Sequence, residues 1–181
     1  MRYHLLEGSS EKIFVAASIG PYGAYLSDGS EYHGNYNVSK ENLVAFHKER
    51  IDILDKSKAD FFACETIPSF EEAKILSNIL ITTKKQAWVS FSCKDEKHIC
   101  DGTPISKCAQ FLSSNPNIFA LGANCTRPEY VSGLIRCIKP HLWGKKIVVY
   151  PNSGGLYNAD LKVWTKNESQ DLDRWVQEWV E

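Results

Sequence analysis

The chain has 181 residues, 43% of them hydrophobic, and a formal net charge of −1 at pH 7. This is enough for one domain with a sizeable core. Lysine and arginine form no cluster longer than a pair, which argues against a nucleic-acid binder. The longest apolar runs, such as residues 147–150, are far shorter than the roughly 20 residues of a membrane span. The first residues contain no apolar signal-peptide core. We therefore expect a cytoplasmic protein that binds neither nucleic acid nor membranes.

Short apolar runs alternate with stretches of helical periodicity along the chain. Strands are predicted at residues 13–19, 59–64, 87–92, 119–124 and 146–150. Helices are predicted at about 43–54, 69–80, 105–112, 128–138 and 170–180, where apolar residues recur at three- and four-residue steps. Ser69 is expected to cap the second helix, because acidic residues follow it in the first turn and complement the helix dipole.

This alternation predicts an α/β fold with about five parallel βα units in one domain that covers residues 1–181. The spacing of the units is that of a (β/α)8 TIM barrel. Such a barrel typically needs about 250 residues, so we expect an incomplete one. An open doubly wound sheet is the alternative, although the sequence lacks a G-x-G-x-x-G loop.

The six cysteines are spread irregularly through the chain. No pair has C-x-x-C spacing, and the histidines form neither an H-x-x-x-H nor an H-E-x-x-H pattern. Free cysteine is among the most buried residue types, so buried free thiols are expected. Any metal would have to collect its ligands from distant parts of the chain. The cysteines are Cys64, Cys93, Cys100, Cys108, Cys125 and Cys137.

Polar residues follow each predicted strand, together with Gly or Pro. In parallel β/α folds the loops at the carboxyl ends of the strands form the functional face, so these residues should meet at one mouth. The segments are residues 18–23, 65–68, 92–95, 124–128 and 151–155.

Each candidate residue in these segments has two interpretations. Glu65 could bind an ammonium group or act as a base, or it could satisfy loop amides or an arginine. Cys125 could present a thiolate, although the residues alone favour a buried thiol. Asn152 and Ser153 could bind a carboxylate or hold a turn. Tyr22 lies in a tyrosine-rich loop that could line a pocket or pack against the rim.

Taken in order, the strand-end motifs resemble the homocysteine S-methyltransferase family. They are Ala-Ser-Ile-Gly-Pro-Tyr-Gly from residue 17, Ser-Asp-Gly-Ser-Glu-Tyr from 27, Glu-Thr-Ile-Pro from 65, Gly-Ala-Asn-Cys from 122 and Tyr-Pro-Asn-Ser-Gly from 150. The likeness runs from about residue 13 to the last residue. It is greatest to members that use S-methylmethionine or S-adenosylmethionine. The chain resembles strands 3 to 7 of that barrel.

The resemblance implies a zinc-dependent enzyme that methylates the sulfur of homocysteine to give methionine. Zinc would keep the bound thiol deprotonated, and a sulfonium donor carries a good leaving group. By resemblance, Glu65 binds the amino group of homocysteine and Cys125 is one of three zinc-bound cysteines. The residues carried over as substrate-binding are Glu65, Asn124, Asn152, Ser153 and Tyr22.

The sequence also departs from the family pattern. The other two zinc cysteines of the family lie in a Gly-Gly-Cys-Cys motif, and this sequence has no adjacent cysteines. The Asp-Gly-Gly turn of the family's first strand is absent too. We therefore expect a truncated chain with unpaired edge strands that is inactive alone.

Three functional hypotheses follow. The first is a homocysteine S-methyltransferase or its remnant. The second is a non-catalytic truncated paralogue that pairs with a full-length relative. The third is an unrelated hydrolase with Glu65 or Cys125 as nucleophile, for which no strand-end motif supplies a histidine base.

Overall fold

A five-stranded parallel sheet organises the chain. The computed structural model describes residues 13–152, 156–158, 163–165 and 172–180. The strands are β1 (Ala16–Ile19), β2 (Phe61–Ile67), β3 (Ala87–Phe91), β4 (Ile118–Asn124) and β5 (Lys146–Tyr150), hydrogen-bonded in that order. The α/β class with parallel βα units is therefore confirmed. Doubly wound sheets reverse their strand order at one point. The five strands of this parallel sheet show no such reversal, which favours the barrel type of arrangement.

Helices separate the strands. They are α1 (Tyr22–Leu26), α2 (Lys40–Leu54), α3 (Phe70–Leu80), α4 (Ile105–Leu112), α5 (Pro128–Ile138) and α6 (Leu172–Val180). There are also 3-10 turns at Ser30–Tyr32 and Lys139–His141, and an antiparallel pair of strands, β6 (Leu156–Asn158) and β7 (Val163–Thr165). The sequence pattern missed α1, the turns and the β6–β7 pair, because such short elements show no periodicity. Within the described part of the chain, no helix is both long and apolar enough to cross a membrane.

Serine caps fix the starts of two helices. The Ser39 hydroxyl accepts a hydrogen bond from the Asn42 amide at 3.2 Å, and the Ser69 hydroxyl accepts one from the Glu72 amide at 3.2 Å. The predicted cap at Ser69 is thus confirmed. Each such cap satisfies an amide that the helix itself leaves unpaired, which stabilises a helix by about 1 kcal/mol.

The core lies between the sheet and helices α2–α5. Side chains of a strand point alternately to its two faces, and one set from each central strand is buried against the helices. The largest of these strand side chains are Phe62, Ile67, Phe91, Ile118 and Leu121. Burial of each stabilises the fold by roughly 1.5–3 kcal/mol. The opposite side of the sheet, here called the far face, carries the other set, which is more polar near the carboxyl ends of the strands.

Candidate functional site

Glu65 lies near the end of β2 on the far face. The Ser18 hydroxyl donates to its Oε1 at 2.5 Å, and the Tyr150 hydroxyl donates to its Oε2 at 2.8 Å. The parallel register creates the first contact, because Ser18 is paired with Ala63, two residues before Glu65. Both bonds come from hydroxyls, and no described lysine or arginine forms an ion pair with Glu65. An ionised carboxylate accepts about four hydrogen bonds, so this one retains acceptor positions for a cation.

Tyr150 connects Glu65 with the neighbouring strands. Its hydroxyl oxygen accepts a hydrogen bond from Trp88 Nε1 at 3.1 Å and lies 2.9 Å from Ser90 Oγ. Burial, and then the hydrogen bond to Glu65, raise the pKa of Tyr150 despite the opposing effect of Ser90. Tyr150 therefore stays a neutral phenol that can donate one hydrogen. Sequence reasoning did not select Tyr150 as a site residue. The available signal was its position as the last residue of a strand.

Cys125 follows β4 directly and is partly exposed. Its sulfur lies 3.3 Å from Asn124 Nδ2 and 3.5 Å from Thr66 Oγ1, and both groups donate to it. Thr66 and Cys125 have φ angles of 62° and 47°. This left-handed region is unusual for residues other than glycine, and it turns the chain sharply at the carboxyl ends of β2 and β4. The result is a thiol held at the sheet edge with two donors aimed at its sulfur.

Asn124 is buried, and all four hydrogen-bonding positions of its side-chain amide are occupied. Its Oδ1 accepts from the Thr66 amide at 2.8 Å and from Ser90 Oγ at 2.8 Å. Its Nδ2 donates to Thr66 Oγ1 at 2.7 Å and to the Cys125 sulfur. An amide side chain has two acceptor positions and two donor hydrogens. A substrate could therefore bind Asn124 directly only by displacing one of these partners.

The other predicted substrate residues lie in different surroundings. The backbone N–H of Asn152 donates to the Thr126 carbonyl at 3.0 Å. Asn152 is half-buried beside the carboxyl end of β4. The ring of Tyr22 packs against Tyr36 and Phe46, with ring centroids 5.6 and 4.9 Å away. Ser153 lies outside the described residues. Substrate contacts of these residues therefore stay predictions.

The six cysteines are free thiols, as expected. Burial raises the pKa of Cys64 and of Cys108 to about 12 and also raises that of Cys93. These three thiols stay protonated at neutral pH.

A bound metal ion would require further ligands besides Cys125. The described residues contain no group of three or more His, Cys, Asp or Glu side chains that could hold a metal. The three-thiolate zinc site implied by the resemblance therefore does not fit the described residues on their own.

The strand order and the polar groups at the carboxyl ends of the strands define a parallel α/β protein with its candidate site at that sheet edge. A sequence model of the homocysteine S-methyltransferase family matches residues 3–181. The chain is 49% identical over 154 residues to the homocysteine S-methyltransferase YbgG of Bacillus subtilis (strain 168), covering 84% of this chain and 49% of that protein. It is 43% identical over 180 residues to homocysteine S-methyltransferase 3 of Arabidopsis thaliana, covering 96% and 52% respectively. The chain belongs to the homocysteine S-methyltransferase family.

Solved structures agree with this assignment. The metallated form of the homocysteine methyltransferase MmuM from Escherichia coli superimposes with a TM-score of 0.77 at 37% sequence identity. That match covers 93% of this chain and 53% of MmuM. The chain thus spans about half the length of the relatives that it matches.

Proposed function

We propose that this chain carries the homocysteine-binding part of a (β/α)8-barrel S-methyltransferase. The observation that carries the proposal is that Glu65 and Cys125 lie at one sheet edge and are connected by a chain of polar contacts through Tyr150, Ser90 and Asn124. Membership in the family supports the reaction class. The sequential order of five parallel strands supports the barrel.

In this proposal the ammonium group of homocysteine binds Glu65. Neutral hydroxyls are the described partners of the Glu65 carboxylate, so a cationic ligand can pair with it, and a charge-assisted hydrogen bond is stronger than a neutral one. The amino acid then extends along the sheet edge, with its sulfur towards the Cys125 side. Zinc stays an expectation from the resemblance, with Cys125 as its one described ligand.

The reaction proposed is methyl transfer from a sulfonium donor, S-methylmethionine or S-adenosylmethionine. The homocysteine sulfur forms a bond to the methyl carbon while the bond from that carbon to the donor sulfur breaks. The bonding electron pair stays on the donor sulfur, which becomes a neutral thioether, and the thiol proton is released to solvent. The protein's main task is to align the three atoms.

Binding measurements test the proposed role of Glu65 without requiring turnover. We expect L-homocysteine to bind the purified chain in isothermal titration calorimetry, and Glu65→Gln to weaken binding by about tenfold or more, because an ionic hydrogen bond is lost. Glu71→Gln, which changes an exposed glutamate on α3, is the matched control and should bind normally. The ligand 4-sulfanylbutanoate lacks the amino group and should not distinguish Glu65→Gln from the wild type. Equal homocysteine affinity of Glu65→Gln and wild type would overturn the role of Glu65.

The second candidate function is that of a non-catalytic paralogue that pairs with a full-length relative. The observation that favours it is that the described residues bring no group of three or more His, Cys, Asp or Glu side chains together to hold a metal. A methyl-transfer assay with homocysteine and S-methylmethionine separates the two. Methionine formation that Cys125→Ser abolishes supports the enzyme. Homocysteine binding without turnover, together with co-purification of a full-length relative, supports the paralogue.

A further inference from the structure

Two hydroxyl groups, those of Tyr150 and Ser90, lie between Glu65 and Asn124. Together they supply two hydrogens for three contacts. The Tyr150 hydroxyl lies 2.8 Å from Glu65 Oε2 and 2.9 Å from Ser90 Oγ, and Ser90 Oγ lies 2.8 Å from Asn124 Oδ1. An ionised carboxylate and an amide oxygen only accept hydrogen bonds. The three contacts therefore share two hydrogens, one from Tyr150 and one from Ser90. Whenever two of the contacts are hydrogen-bonded, the third lacks a hydrogen.

Both ends of this chain of contacts are fixed. The Thr66 amide can only donate, so the atom of Asn124 that it contacts at 2.8 Å must be the oxygen, and Ser90 contacts this same oxygen. The indole N–H of Trp88 can only donate, so it occupies an acceptor position of the Tyr150 oxygen. Ser90 is 0% and Asn124 1% exposed. Bulk water therefore does not supply the missing hydrogen at that end.

A bound ammonium group would remove the shortage. It brings up to three donor hydrogens to Glu65, so the carboxylate no longer needs the hydrogen of Tyr150. The Tyr150 hydroxyl can then turn towards Ser90, whose own hydrogen is left for Asn124. No covalent bond breaks in this rearrangement, since only two O–H groups rotate. The Tyr150–Ser90 and Ser90–Asn124 contacts then each have a hydrogen, and the ammonium group replaces Tyr150 as the donor to Glu65.

Building on the proposed binding of homocysteine at Glu65, we propose that Tyr150 and Ser90 are positioning residues that relay the occupancy of Glu65 to Asn124. The Asn124 amide holds the Cys125 sulfur through its Nδ2 at 3.3 Å. A stronger bond from Ser90 to Oδ1 polarises the amide and strengthens the bond that Nδ2 donates. The relay thus couples capture of the substrate's amino group to the ordering of the sulfur side of the site. It makes Asn124 the end of the relay instead of a direct substrate ligand.

Nuclear magnetic resonance of the 15N-labelled chain can observe both ends of the relay. The ligand is L-2-aminobutyrate, which has the ammonium and carboxylate groups of homocysteine but no sulfur. We expect it to shift the indole N–H signal of Trp88 and the side-chain amide signal of Asn124. The signals are assigned from their loss in Trp88→Phe and Asn124→Ala. Butyrate, which lacks the ammonium group, should shift neither signal.

Variants interrupt the relay at defined points. In Ser90→Ala, the ligand should still bind and still shift Trp88, whereas the Asn124 shift should fall at least threefold. Tyr150→Phe should likewise lose the Asn124 shift. The matched controls are Ser77→Ala, a buried serine bonded to another asparagine amide, and Tyr36→Phe, a tyrosine that donates to another glutamate. Both controls should keep the two shifts. An Asn124 shift of wild-type size in Ser90→Ala would overturn the relay.

The ligand-free protein gives a test that does not depend on the proposed function. Tyr150→Phe leaves the Ser90 hydrogen to Asn124, whereas Ser90→Ala removes that hydrogen. The two variants should therefore move the Asn124 amide signal in opposite directions from wild type. Movement in the same direction, or none, would overturn the relay even if the ligand binds. If L-2-aminobutyrate fails to bind the wild type, the proposed function fails while this result still decides the relay.

Discussion

At the scale of single residues, the site depends on two strained positions. Thr66 and Cys125 both have left-handed backbone angles, with φ of 62° and 47°. Such positions cost about 1–3 kcal/mol each and persist only where the surroundings hold them. Here the surroundings are the hydrogen bonds of Asn124, whose side chain contacts the Thr66 amide, the Thr66 hydroxyl and the Cys125 sulfur. The left-handed turns at Thr66 and Cys125 place two positions that are distant in the sequence within one polar cluster.

Glu72 is a second residue whose role depends on tertiary contacts. Its side chain is fully buried. Its Oε1 accepts from the Tyr22 amide at 2.7 Å and contacts His47 Nε2 at 2.7 Å, and its Oε2 accepts from the Tyr36 hydroxyl at 2.8 Å. The carboxylate therefore joins the β1–α1 connection, the following loop and helix α2. The start of helix α1, at Tyr22, is anchored from inside the protein.

We expect Glu72→Gln to lower the free energy of unfolding by about 1–3 kcal/mol, because the new amide N–H2 meets buried groups that require an acceptor. Urea unfolding followed by circular dichroism measures the change. The neighbouring Glu71→Gln is the control. Its side chain is 49% exposed and its partners are the surface residues Lys40 and Lys74, so its effect should stay below about 1 kcal/mol. Equal effects of the two variants would show that the buried contacts do not matter.

At the scale of secondary-structure elements, the packing of β4 against β5 depends on Gly122. A Cβ atom placed on Gly122 would lie 1.6 Å from the Val148 carbonyl oxygen and 2.6 Å from the Val148 carbonyl carbon. Both are backbone atoms of the adjacent strand, which cannot move without breaking the parallel pairing from Ala120 to Asn124. Only glycine permits this close approach. The same pairing places Asn124 beside Tyr150 and so holds the site together.

We expect Gly122→Ala to destabilise the protein by about 3 kcal/mol or more, at the upper end of the range for overpacked positions. Thermal unfolding provides the measurement. Gly20→Ala is the matched control, because a Cβ atom there meets nothing within 4 Å. Its midpoint should stay within a few degrees of wild type. A Gly122→Ala protein as stable as Gly20→Ala would mean that β4 and β5 are farther apart than described.

The start of helix α3 shows which contacts a local sequence pattern predicts and which it does not. The sequence Ser69-Phe70-Glu71-Glu72 fits a capping box, in which the glutamate reaches back to the first amide. The Ser69 half of the pattern is present, since its hydroxyl accepts from the Glu72 amide. The Glu72 side chain instead bonds Tyr22, Tyr36 and His47. The helix start was predictable from neighbouring residues, whereas the partners of Glu72 come from loops and helices far along the chain.

At the scale of the whole molecule, buried thiols link stability to pH. Burial raises the pKa of Cys64 and Cys108 to about 12 and raises that of Cys93, whereas an unfolded thiol has a pKa of about 8.5. Above about pH 8.5 the unfolded chain therefore binds fewer protons than the folded chain. Stability is fully retained below that pH and falls as the pH rises towards about 12.

We expect the free energy of unfolding to fall above about pH 8.5, with each buried thiol contributing up to about 1.4 kcal/mol per pH unit. Urea unfolding between pH 6 and pH 10.5 measures the slope. Cys64→Ala should fall less steeply than wild type in the alkaline range by about that amount. At pH 6–8 the two curves should run parallel, which serves as the internal control. Identical alkaline slopes would contradict the burial of Cys64.

The predicted elements agree with the structure wherever the sequence pattern is long. The helices around Phe46, Leu76 and Leu134 were located within a few residues, because caps and apolar spacing act between neighbours in the chain. Strand β2 was predicted to end at Cys64 but extends to Ile67. Its polar end resembles a loop in sequence, and the pairing with β3 resumes at Ile67 after a register shift at the left-handed Thr66.

The residues of the candidate site also fall into two groups, those that the sequence predicted and those that it did not. Glu65, Asn124 and Cys125 were selected from the sequence because polar residues at strand ends meet at one edge of a parallel sheet. Tyr150 and Ser90 were not selected. Tyr150 contacts Glu65 across 85 residues, and Ser90 contacts Asn124 across 34. The Ser90 contact depends on the register of β3 and β4, and the Tyr150 contact reaches from β5 to β2, so no local pattern of residues contains either.

The sequence by itself determined the βα repeat, the helix starts, the family and the positions of the strand-end motifs. These follow from apolar spacing, capping and motif order, all of which are local properties of the chain. Only the tertiary structure decided that the Asn124 amide is fully occupied by protein partners, that two hydroxyls hold Glu65, and that the Tyr22 ring packs against Tyr36 and Phe46. Hydrogen bonds require atoms within about 3 Å, and that precision arises only when the strands are aligned and packed.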